Sequence, residues 1–167
     1  MVVELEANKK FTKKLPPHNL EAEESVLGAI LINSGDVLNR VVEILTPDSF
    51  YNPKNKLIYE AMFNLFNQNK PVDALSVGEY FSAKNQLENI GGREYLNDLM
   101  MDSMLTSNVE YYANIIKENA TKRQLISAGS TIIEETFKNP ESKISLETAE
   151  KLIFEIAQQK SSSQMEA

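Results

Sequence analysis

Apolar residues recur at helical spacing along most of this chain, and no stretch alternates convincingly enough to suggest a strand. Leu20, Leu27 and Leu31 share one stripe, joined by Ile30, with Ala22, Val26 and Ala29 as a flanking stripe of small residues. Pro16-Pro17 fixes an extended entry to this helix and Asn19 is placed to cap it. Glu21, Glu23 and Glu24 fall in the first turns, where carboxylates favour the positive end of the helix dipole, and read as a solvated helix start. Ser34-Gly35 is expected to end the helix. Leu38, Val41, Val42 and Leu45 then give a short second helix. Asn52-Pro53 opens a third, with Ile58, Ala61, Met62, Leu65 and Phe66 inward, and Pro71 stops it. Ser76 and Glu79 match a capping box for a fourth helix with Tyr80 and Phe81 inward. After Gly91-Gly92, the positions Tyr95, Leu96, Leu99 and Met100 suggest another short helix.

The pattern then changes. A second capping box, Ser107 with Glu110, precedes a run free of proline until Pro140. A continuous helix from Asn108 to Lys138 would be about 45 Å long, whereas a head of some ninety residues is about 30 Å across, so the helix must project. After the turn "KNPESKIS", Leu146, Ala149, Leu152, Ile153 and Ile156 line one side of a second helix, giving an antiparallel hairpin. The pairs Leu125-Ile126 and Ile132-Ile133 make the first helix's apolar face too wide for one neighbour, and excess apolar surface of this kind marks association. The small patch Ser127-Ala128-Gly129-Ser130 permits close helix approach, within the hairpin or with another chain. The expected fold is all-α: a flexible N-terminal arm over 1–15, a globular bundle of short helices over 16–105, a long antiparallel helical hairpin over 106–160, and the Ser-rich start of a linker over 161–167.

Composition narrows the chemistry. The 167 residues carry a formal net charge of −7, which disfavours a grip on a phosphate backbone. Lys117, Lys122 and Arg123 form only a sparse basic run, and Tyr111-Tyr112, a conceivable stacking pair for bases, reads better as core at Tyr112. Cysteine is absent and His18 is the single histidine, so neither a thiolate nor a histidine-rich metal site is available. No apolar run reaches the length of a membrane span. There is no phosphate-binding glycine loop followed by lysine, no zinc-protease helix motif and no nucleophile elbow; "GGREYL" has glycines but no lysine behind them. Glu134-Glu135 are adjacent on a helix and point apart. An enzyme reading finds no residue set to stand on.

The ordered set of short segments carries a resemblance instead. "LPPHNLEAEESVLGAILIN" resembles the opening P-P-x-x-x-E-A-E-x-[SA]-[VI]-[LI]-G of the N-terminal domain of bacterial replicative DNA helicases of the DnaB family, matching at Pro16, Pro17, Glu21, Ala22, Glu23, Ser25, Val26, Leu27 and Gly28. "DSFYNPKNKLIYEAM", "KPVDALSVGEYF", "LENIGGREYLNDL" and "NVEYYANIIKENATKRQLI" resemble later segments of the same domain, so the likeness runs from about Leu15 to Lys160.

The resemblance implies a helical head with a hairpin. It also implies paired domains forming a collar, a trimer of dimers in the hexamer, above an ATPase ring, and a docking place for primase. A helicase loader is a further partner in this picture. No cofactor is expected in these residues; ATP and Mg²⁺ would belong to an ATPase domain that this sequence does not contain. The setting implied is a bacterial cytoplasm or an organelle of bacterial descent. The alternative reading is a free-standing helical adaptor without an attached ATPase. For partner binding, Ile126, Ile132 and Ile133 are expected to anchor another subunit or primase, with Tyr95 as a neighbour on the head and Glu21 as a polar rim contact. The chain itself is expected neither to turn over ATP nor to bind single-stranded DNA strongly.

Overall fold

The computed structural model describes residues 14–103 and 108–165, and within them the chain is helical with no strand. The helices are α1 (Leu20–Ile32), α2 (Ser34–Val41), α3 (Pro53–Asn67), α4 (Ala74–Ser82), α5 (Gly92–Asp102), α6 (Val109–Lys138) and α7 (Ser142–Met165), with 3₁₀ turns at Pro47–Ser49 and Leu87–Ile90. The all-α head-and-hairpin architecture expected from the periodicity is the one observed.

α1 is the axis of the head. Every residue from Val26 to Leu31 is buried, and α2, α3, α5 and α6 all pack on it. A helix buried all round must let at least one neighbour come close. Gly28 does this: a Cβ there would collide with the carbonyl oxygen of Leu99 on α5. Ser103 Oγ, just past α5, donates to the Ser25 carbonyl at 3.3 Å on the same side. The core around α1 is built from Leu27, Ile30, Leu38, Ile58, Tyr59, Met62, Phe81, Leu96 and Leu99, with Val109, Ala113 and Ile116 contributed by the first half of α6.

Capping chemistry fixes most helix starts. Asn19 Oδ1 accepts from Ala22 N at 2.9 Å, and Asn52 Oδ1 accepts from Lys54 N at 2.9 Å, as their sequence context predicts. Three local expectations are corrected. α1 already stops at Ile32, because Asn33 breaks the helical backbone (φ −145°, ψ 72°), and Ser34-Gly35 begins α2 rather than ending α1. The box at α4 is Asp73 with Ser76: Asp73 Oδ1 accepts from Ser76 N at 2.8 Å and Ser76 Oγ accepts from Asp73 N at 2.9 Å, so the helix begins one turn before the Ser76–Glu79 pair suggested. Leu20 is partly exposed and leaves the buried stripe to Leu27, Ile30 and Leu31. The proposed cap Ser107 lies outside the described residues. Of residues 161–167, expected to start a linker, 161–165 lie within the backbone of α7 and the rest outside the described residues.

Gly91 and Gly92 take positive φ values, 91° and 71°, which lets the chain reverse from the Leu87–Ile90 turn into α5.

Candidate functional site: the hairpin face and its root

α6 has two halves with different surroundings. Val109, Ala113, Ile116 and Ala120 are buried where the helix crosses the head. Beyond Ala120 it packs on α7, and the α6 side of the seam is small and polar. Gln124, Ser127, Ala128 and Thr131 face Leu152, Glu155, Ile156 and Gln159, and Gln124 Nε2 donates to Gln159 Oε1 at 2.9 Å. Ser145 Oγ meets the Glu135 carbonyl at 3.5 Å near the turn. The small patch around Ala128 therefore serves close approach inside the hairpin.

The aliphatic residues lie elsewhere on both helices. Measured round α6 from Ala128 at about 100° per residue, Ile132, Leu125, Ile133 and Ile126 all fall between about 40° and 160° on one flank. Round α7 from Leu152, Ala149, Ile153, Leu146 and Ala157 fall between about 60° and 140° in the same rotational sense. Two antiparallel right-handed helices are related by a dyad perpendicular to their common plane. Equal rotations from the seam therefore turn both flanks to the same side. The hairpin presents one continuous apolar face. Ile126 is 56% exposed and Phe137, at its edge, 82% exposed. Leu125, Ile133, Leu146, Ile153 and Phe154 are exposed as well, while Ile132 is half-buried beside the seam. Ala149, Glu150, Ile153, Phe154 and Ala157 line a shallow groove on α7. The expected inward side of α7 is thus split: Leu152 and Ile156 face the seam, whereas Leu146 and Ile153 do not.

The other two predicted residues stand on the head. Glu21 is exposed in the first turn of α1. Tyr95 is half-buried: its hydroxyl donates to Asn55 Oδ1 at 2.6 Å and the Lys54 ammonium sits 4.3 Å from its ring centroid. Burial, followed by the charges of Glu24 and Glu23, pushes its hydroxyl up to about 12. None of these contacts reaches the hairpin, so the structure does not gather Tyr95 with Ile126, Ile132 and Ile133.

Sequence reasoning missed the network beneath Tyr95. Glu23, grouped with its neighbours as a solvated dipole partner, is 1% exposed. Its Oε2 accepts from Tyr51 N at 2.9 Å, and its Oε1 from Asn52 N and from Asn55 Nδ2, each at 3.2 Å. The buried carboxylate is held by three donors from one loop and the start of α3, and it knits α1 to both. Burial raises the pKa of neighbouring Glu24, with Asp102 and Glu23 adding to the shift. Arg123, noted in the sequence only as part of a sparse basic run, has a structural place that its neighbours did not signal. It is no part of a basic strip for nucleic acid: its guanidinium donates to the Pro17 and Ser49 carbonyls at 2.8 and 2.7 Å and lies 5.6 Å from the Tyr51 ring. Tyr112 packs on the core as expected, and Tyr111 is exposed. Among the described residues no group of His, Cys, Asp or Glu is arranged to hold a metal ion, and no helix is long and apolar enough to cross a membrane.

The molecule is thus a helical head with a projecting hairpin that holds small polar residues of α6 in its seam and displays aliphatic ones. The profile of the DnaB-like helicase N terminal domain matches residues 15–118, and the chain belongs to that family. It is 38% identical over 151 residues to the replicative DNA helicase DnaC of Bacillus subtilis, covering 90% of this chain and 33% of that protein. It is 36% identical to the replicative DNA helicase DnaB of Pasteurella multocida, over 89% of this chain and 32% of that one. The chain thus spans about a third of the length of these relatives. Among solved structures it is similar to the N-terminal domain of DnaB helicase from Mycobacterium tuberculosis, with a TM-score of 0.79 and 32% identity, covering 85% of this chain and 99% of that one. A second similar structure is described as a DnaB-like replicative helicase and its interactions with primase; it gives a TM-score of 0.70 at 28% identity, covering 83% of this chain and 31% of that one.

Proposed function

We propose that this chain is the N-terminal scaffold and docking domain of a replicative DNA helicase, assembling the collar of the hexamer and binding primase. Membership of the family and the length of the relatives support the larger context, in which ATP-driven unwinding of duplex DNA belongs to a further domain that binds ATP and Mg²⁺. The partner reading is supported by the similar structure described with primase. A helicase loader is a further candidate partner, and the bacterial relatives favour a bacterial compartment or one of bacterial descent.

The observation that carries the reading is the sidedness of the hairpin. Aliphatic residues turned away from the seam contribute little to the pair itself. They gain only when a second apolar surface covers them. A second copy, related by a two-fold axis, would bring two such faces together as a four-helix bundle. Ile126, Ile132 and Ile133 are the anchors of this contact. On the head, Tyr95 is proposed as a neighbouring partner contact and Glu21 as a polar rim contact.

The test replaces Ile126 or Ile132 with Asn. Ile126→Asn should leave melting nearly unchanged, while Ile132→Asn, closer to the seam, should lower it modestly. Self-association by sedimentation, or binding to the C-terminal domain of primase, should weaken tenfold or more, about 1.4 kcal/mol. Variants that stay folded and associate like the parent would remove the hairpin face as the docking surface.

A further inference from the structure

From the contacts at the root of the hairpin we infer that Arg123 is a positioning residue, setting the direction in which the hairpin leaves the head. α6 is continuous from Val109 to Lys138, but its burial against the head ends at Ala120, and its next buried residue, Ala128, lies in the seam with α7. Arg123 sits between these two regions. Its two terminal nitrogens reach carbonyls from separate parts of the chain, Pro17 in the entry segment and Ser49 in the 3₁₀ turn. A planar fork that spans two acceptors fixes an angle as well as a distance.

The surfaces it grips are themselves held. Ser49 Oγ accepts from Thr46 N at 3.1 Å. The His18 ring stacks on Tyr51 with centroids 4.2 Å apart and planes 14° from parallel, which ties the entry segment to the same loop. The backbone N–H of Tyr51 is anchored on Glu23 in α1. Arg123 thus bears on a rigid platform that leads back to the head's central helix. The lever arm is long. From Arg123 to Lys138 the helix extends about 22 Å, so a swing of about 10° at the root moves the tip by about 4 Å. A shift of that size changes which residues of one hairpin meet those of another, although no atom of the apolar face has been altered.

The test reads a distance within one chain, so it stands or falls separately from the docking reading. The sequence contains no cysteine, which allows spin labels at two introduced sites alone. Ser82→Cys at the end of α4 and Glu141→Cys at the hairpin turn are both exposed. The doubly labelled 167-residue chain is diluted into unlabelled protein, so that only distances within one molecule are read. In the parent the head-to-tip distribution should be narrow. Arg123→Met, which keeps the stem and loses the fork, should at least double its width or displace its mean by about 4 Å. Arg123→Lys, with a single point of contact, should fall between, and Lys122→Met should match the parent. A parent-like distribution in both Arg123 variants overturns the inference. Should Arg123→Met fail to fold, Arg123→Lys decides alone: broadening upholds the inference and a parent-like distribution overturns it.

Discussion

Glu23 and Asn55, thirty-two residues apart in sequence, meet in the core with the Asn55 amide 3.2 Å from Glu23 Oε1. The same Asn55 accepts from Tyr95 on its other side, so a half-exposed aromatic on α5 is tied through α3 to a buried carboxylate on α1. Replacing Glu23 with Ala leaves the N–H groups of Tyr51 and Asn52 and the amide of Asn55 without their acceptor. The loss should be about 3 kcal/mol or more. Glu23→Gln, which keeps one carbonyl oxygen, should lose less. Denaturant midpoints for the two variants check the order, and equal midpoints for Ala, Gln and parent would remove the network from any account of stability.

Gly28 gives a prediction of the opposite kind, an excess of atoms. Gly28→Ala places a methyl against the Leu99 carbonyl, and relief requires α1 and α5 to move apart along their shared contact. Overpacking of this kind costs about 1–3 kcal/mol, and backbone is harder to displace than a side chain. Thermal melting should drop clearly, while Gly35→Ala, with open space around the position, should not follow it.

Removing atoms from the core should cost about as much. Leu27 and Ile58 are fully buried and Leu65 nearly so. Truncation of any one to Ala should destabilise by about 2–5 kcal/mol, the range for residues whose cavity cannot fully collapse. An unchanged melting midpoint in all three would contradict the packing described.

Tyr80, Tyr95 and Tyr59 should titrate in a definite order, Tyr80 before the other two. The Lys84 ammonium and the Asn64 amide, both donating to Tyr80, lower its pKa. Burial pushes Tyr95 up to about 12, and raises Tyr59, whose hydroxyl donates to the Leu45 carbonyl in the core. A folded-state value above the unfolded value of about 10 means the folded chain holds that proton more tightly. The corresponding stability is complete below about pH 10 and is lost as pH rises toward 12. Tyrosinate absorbance should rise from Tyr80 before Tyr95 or Tyr59, and Tyr95→Phe should flatten the fall in stability between those pH values. A variant whose alkaline unfolding is as steep as the parent's would assign that proton elsewhere.

Legibility from sequence followed the range of the interactions. Asn19 and Asn52 cap helices within three residues of themselves, and both were readable. The long run behind Asn108, free of proline until Pro140, was readable as one helix despite Gly129 within it. The doubled aliphatics at 125–126 and 132–133 signalled a face wider than one partner, and they are exposed or half-buried as that pattern implies. Glu23 was not readable, because its donors lie 28 to 32 residues away and its local company, Glu21 and Glu24, looks like any solvated helix start. Arg123 was hidden for the same reason, with acceptors 74 and 106 residues distant. The Asp73–Ser76 cap was obscured by a competing pair three residues later that satisfied the same pattern. On α7 the apolar residues marked a helix but not which of them faced the seam, since that depends on where α6 places Ala128.

The seam between α6 and α7 has one more consequence. A pair of helices whose α6 side is alanine, serine, threonine and glutamine, facing only Leu152 and Ile156 among the apolar residues of α7, has little cohesion of its own, and beyond its root at Arg123 the hairpin leaves the head. The order of the outer hairpin is then governed by mass action, since whatever binds the folded form stabilises it in proportion to how much is present. Amide exchange should be slow throughout α1 and the first turns of α6 at any protein concentration. Between Leu125 and Ile153 it should quicken on dilution, making the far end of this molecule a gauge of how many neighbours it has found.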